Sequence, residues 1–172
     1  MIYKDFHYER LDLKKSKSIL NKIISDFKNA DSAKIQIEAI KEVDGFSREY
    51  MTYQAMASLN YSRDINDDSA KNEKDYYDSI SPDMREIYDR FDKALHQSKF
   101  KSEIIDMFGD TFLNQIEINL KTFDSKIKGM LKEEIELKNE YTELTAGAKI
   151  EFEGKEYNLA GLGPFHSNVN RS

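Results

Sequence analysis

The sequence predicts a mainly α protein: an antiparallel bundle of about five helices closed by a short C-terminal β-hairpin. Apolar residues recur at helical spacing across residues 13–148, and only at 149–159 does the period turn to alternation. The 172 residues are 39% hydrophobic and 34% charged, a mix that suits helices with one wet face. This length holds one domain with a sizeable core. The change of period divides it into a helical part, residues 1–148, and a hairpin and loop, residues 149–172.

The first helix carries Leu13, Leu20, Ile23, Ile24 and Phe27 on one face, with Asp12 as cap and Asn29 near its end. Asp31 or Ser32 caps the second, in which Ile40, Val43, Tyr50, Met51, Ala57 and Tyr61 share a broad face. Spanning residues 32–62, it is roughly 45 Å long. Polar residues 63–68 interrupt the pattern before Tyr77, Ile80, Met84, Ile87, Phe91 and Leu95 restore it. Pro82 lies inside that third stretch, where its missing donor predicts a kink or a short break. The fourth stretch, 103–123, is interrupted at Gly109, and the fifth starts at Ser125 with Ile127, Leu131, Ile135, Leu144 and Ala148. Alternation of Ile150, Phe152, Tyr157 and Leu159 around Glu153-Gly154 then reads as a hairpin, and the tail from Gly161 as loop. A lone hairpin is marginal in water, so its cover is expected elsewhere, in a partner or in further sequence.

Composition excludes several function classes. A net charge of −6 argues against general nucleic-acid binding, which needs clustered Lys and Arg. With no cysteine there are no disulfides, thiolate metal sites or cysteine nucleophiles. Neither a secretory signal nor a membrane-spanning run is legible, so a cytoplasmic protein without membrane contact is expected. His7, His96 and His166 lie on distant segments, and none is one helical turn from another, so no helix presents two imidazoles to a metal ion. Serine nucleophile elbows and phosphate-cradling glycine loops are also missing.

Two weaker constellations remain. Asp64-Ile65-Asn66-Asp67-Asp68 places oxygen ligands at the first, third and fifth positions of a calcium loop. Ser69 then stands where that loop wants glycine, and a capped polar turn explains the same residues. Tyr50, Tyr53 and Tyr61, with Met56, Tyr76 and Tyr77, are candidates for a groove that takes an extended peptide. Packing between helices is the competing reading.

The order of motifs along the chain resembles the N-terminal part of the oligoendopeptidase F-like, thimet-type zinc peptidases. The resemblance runs through Tyr8-Glu9-Arg10 with Asp12-Leu13, Gln36-Ile37-Glu38-Ala39-Ile40 and Arg63-Asp64-Ile65-Asn66. It continues in Lys121-Thr122-Phe123, Glu140-Tyr141-Thr142-Glu143-Leu144 and Ala148-Lys149-Ile150-Glu151-Phe152-Glu153-Gly154, then Asn158-Leu159-Ala160 and Pro164-Phe165. It implies a helical front portion of an enzyme that cleaves short peptides in a channel, with zinc on a His-Glu-x-x-His helix. That motif does not occur here: His96 is followed by Gln97, and neither His7 nor His166 precedes a glutamate. The resemblance therefore implies zinc in the parent enzyme, no metal on this chain and no activity by itself. Its partners would be the catalytic domain of the same enzyme and short peptides. The alternative is a self-contained helical protein-interaction module.

Overall fold

The computed structural model describes residues 8–166. The chain divides into two compact units, one running to Gly129 and the other starting at Met130.

The first unit is built on three long helices: α1 (Leu13–Asn29), α2 (Ala33–Arg63) and α3 (Asp68–His96). Asp12 starts α1 by accepting a hydrogen bond from the Lys15 amide at 2.9 Å. Asp67 starts α3 by accepting from the amides of Ser69 and Ala70 at 2.9 and 3.1 Å. α1, α2 and α3 pack on one another, while α4 (Lys101–Phe108) lies against α2 and α5 (Asp110–Thr122) against α3. Leu20, Phe27, Tyr77, Met84, Leu95 and Ile104 are almost wholly buried at their centre. Inside this core, Gln36 donates to the Phe27 carbonyl at 3.0 Å and accepts from Ser98, tying α2 to the end of α1 and to the turn after α3. The buried side chains of Gln36 and Ser98 are thereby paired, as a close-packed interior favours.

Of the kink or short break expected at Pro82, the break does not occur, for α3 runs through it from Asp68 to His96. The carbonyl of Asp78, which a residue with an amide proton at position 82 would engage, instead accepts from the Ser81 hydroxyl at 3.1 Å. The fourth stretch is two helices, α4 and α5, because Gly109 stands between them at φ 83° and ψ 161°. That conformation belongs essentially to glycine.

In the second unit, α6 (Lys128–Ala146, beginning just ahead of the division) is followed by a two-stranded antiparallel hairpin, β1 (Ile150–Phe152) and β2 (Lys155–Tyr157). Glu153 and Gly154 both take positive φ, 52° and 74°, as a tight two-residue hairpin turn requires. The segment after the hairpin, read from composition as loop, forms a 3-10 turn at Ala160–Leu162 and a last helical turn, α7 (Gly163–His166). Phe165 lies against Phe152 and Tyr157, with ring centroids 5.0 and 5.3 Å apart. Residues 167–172 of that expected loop lie outside the described part.

Candidate functional site

α2 and α3 carry the aromatic residues expected to form a groove, and the chain ahead of α1 is laid across them. Tyr50 and Tyr61 are both 5% exposed. The Tyr50 ring is 6.1 Å from that of buried Tyr77, and its hydroxyl has no hydrogen-bond partner. Burial raises its pKa above the ordinary tyrosine value. Tyr61 lies under the Lys74 ammonium, 5.5 Å from the ring centre. Tyr53, half-buried, donates to Glu49 at 3.1 Å and meets Tyr8 edge-on at 5.6 Å.

Around these rings the segment leading into α1 is held at several points. Tyr8 donates to Glu73 at 2.6 Å, and Arg10 forms an ion pair with the same carboxylate while lying 4.7 Å above the Tyr76 ring. The Arg10 hydrogen bond holds the Glu73 carboxyl below the usual range against the opposing effect of burial. Burial and Glu73 together raise the Tyr8 hydroxyl. One residue on, the Tyr76 hydroxyl donates to the Leu11 carbonyl, and the Leu11 amide donates to the Tyr77 hydroxyl at 3.2 Å. The three candidate tyrosines thus share one wall, but Tyr50 and Tyr61 face neighbouring groups and Tyr53 alone is part-open.

A second polar cluster escaped the sequence reading. Arg85, Tyr88, Asp89 and Asp92 fall at i, i+3, i+4 and i+7 along α3 and, with Met51 and Asn119, line a cavity of about 200 Å³. The Asp89 side chain is 4% exposed; one oxygen accepts from Lys93 at 2.6 Å and the other has no partner. Burial pushes the Asp92 carboxyl up to about 6, eased by a 3.2 Å hydrogen bond from Asn119. Ser47 stands beside the Tyr88 hydroxyl without closing a hydrogen bond to it. The helical spacing was the signal available; it reads equally as a solvated face.

The chemistry these groups can perform is limited. Among the described residues no three His, Asp or Glu side chains converge to hold a metal ion. His96 is exposed at the end of α3; His7 and the side chain of His166 lie outside the described part. The calcium-like loop is built as a capped turn: Asp64 accepts from the Asn66 amide at 3.0 Å, and Asp67 is committed to the first turn of α3. No described helix is long and apolar enough to cross a membrane.

The chain is a mainly helical body with a short hairpin near its C-terminus. Its sequence matches the Peptidase M3 N-terminal domain over residues 3–123, and the chain belongs to that family. Three solved structures are similar to it. An oligoendopeptidase F seen by X-ray crystallography shares 33% identity, with a TM-score of 0.91 over 99% of this chain. PZ peptidase A with a bound inhibitor shares 32% at the same TM-score and coverage. An oligoendopeptidase F from Bacillus anthracis shares 29%, with a TM-score of 0.88 over 96% of this chain. In each case this chain spans 30% of the longer one. No curated protein matches it.

Proposed function

We propose that this chain is the N-terminal helical portion of a zinc-dependent oligoendopeptidase that hydrolyses short peptides, and that it walls and encloses the peptide channel without contributing to the chemistry. The observation that carries this is its superposition, over 99% of its residues at 33% identity, on less than a third of an oligoendopeptidase F. The His-Glu-x-x-His helix and its zinc would belong to the remaining polypeptide, which is the natural partner of these helices. Tyr53 is the best placed of the three tyrosines to touch a peptide, with Tyr50 and Tyr61 holding α2 in register behind it. A cysteine-free chain suits a reducing, cytoplasmic setting.

The purified chain, incubated with zinc and a quenched-fluorescent peptide, is expected to give no turnover above background. Metal-dependent hydrolysis by the chain alone would overturn the division of labour.

One observation favours the second reading, a self-contained interaction module: the unit ending at Gly129 has a complete apolar core of its own. Size-exclusion chromatography across concentrations separates the two. A finished module elutes as one defined species, whereas a severed front portion associates through exposed apolar surface.

A further inference from the structure

α6 is a helix of 19 residues with no buried residue at all. Leu131 and Ile135, on one face, are half-buried, whereas four other large apolar side chains are among the most exposed of the molecule: Met130 at 70%, Leu137 at 58%, Tyr141 at 68% and Leu144 at 74%. They follow one another at intervals of seven, four and three residues, which places them in one stripe with the spacing of a helix–helix seam. Near its end Tyr141 and Leu144 join Leu159, 50% exposed, around an open groove of about 770 Å³. Exposed apolar surface gathered in this way marks a contact.

We propose that this stripe is the seam onto which an amphipathic helix of the remaining polypeptide packs, with Lys or Arg flanking its apolar residues. The inference rests on the reading above, that these residues front a longer enzyme. Two observations choose the occupant. The fold, α6 and hairpin included, is shared over 99% of this chain with a chain of which it makes up 30%, so these elements keep their shape where much more polypeptide is present. The stripe is also edged by exposed Glu133, Glu134 and Glu140 against only Lys138. A second copy would bring those acids together, whereas a basic-flanked helix would pair them.

Hydroxyl-radical labelling of Met130 and Tyr141 tests this, comparing the 172-residue chain with the full polypeptide translated from the same reading frame. Their modification is expected to fall about tenfold in the longer protein, as for side chains withdrawn from solvent. Replacing Glu133 and Glu140 by Lys in the longer protein is expected to restore much of the labelling while the melting of the first unit stays put. Equal labelling of the two proteins overturns the inference. So does labelling of the short chain that falls as its concentration rises, since a second copy is then the occupant. Peptide hydrolysis by the longer protein, measured on the same samples, keeps the two ideas apart. Turnover with Tyr141 still labelled removes the seam alone, and protection without turnover removes the peptidase reading alone.

Discussion

Asp92 is held between opposing demands: burial disfavours its charge, while Asn119 and the nearby Arg85 favour it. With its carboxyl near 6 in the folded chain and close to the ordinary value when unfolded, the folded state binds more protons between those two values. Stability attributable to Asp92 therefore falls as pH rises through about 4 to 6. Asp92→Asn keeps an oxygen for Asn119 and removes the charge. It is expected to stabilise the chain by about 1 kcal/mol near neutral pH after allowance for solvent screening, and by nothing near pH 4. Thermal melts of both proteins at the two pH values check this, and a gain that persists in acid would contradict it. Tyr77→Phe removes the acceptor for the buried Leu11 amide and is expected to cost about 1–2 kcal/mol in a denaturant titration. Residue types and helical phase were legible at this scale: Tyr50, Tyr61 and Tyr77 fall on faces that the helices do bury. What each hydroxyl meets was not, because the partners of Tyr76 and Tyr77 come from Leu11, more than sixty residues earlier. The Asp89 and Asp92 cluster stayed hidden for a similar reason, since Asn119 and Met51 reach it from other helices.

Among the elements, the start of α1 was the easiest to read, since Asp12 acts within three residues of itself. Ser32, expected with Asp31 as a cap for α2, makes no side-chain capping bond. Gly109 was legible as an interruption, but only its backbone shows the cause. A Cβ there would meet nothing within 4 Å, so Gly109→Ala tests conformation alone. At φ 83° and ψ 161° it is expected to cost about 1–3 kcal/mol and to loosen the α4–α5 corner, which amide hydrogen exchange would report. At Pro82 the sequence left a kink and a short break both open, because proline speaks locally for either. Its own burial, together with Ser81 supplying the missing donor, keeps α3 whole. Ser81→Ala should leave the Asp78 carbonyl short of a partner and lower stability by about 1 kcal/mol, and an unchanged melting curve would remove this account of the intact helix.

For the whole molecule, the class of fold was legible from periodicity because most of the first unit obeys it: Leu20, Phe27, Tyr77, Met84 and Leu95 are apolar at helical spacing and almost wholly buried, although Met51 on the expected face of α2 is 60% exposed. The second unit could be read only as pattern. α6 repeats apolar residues as a core helix does, yet leaves Met130, Leu137, Tyr141 and Leu144 exposed, and no local signal distinguishes a stripe that is covered from one that waits for cover. That contrast follows if the chain fronts a longer enzyme. The most direct test is the mass of the native protein recognised by an antibody to the first unit, with peptide hydrolysis assayed in the same fraction. The account predicts a polypeptide about three times this length, since the chain spans 30% of its solved relatives, carrying metal-dependent peptidase activity. A native species of 172 residues without that activity would contradict it and leave the interaction module in its place.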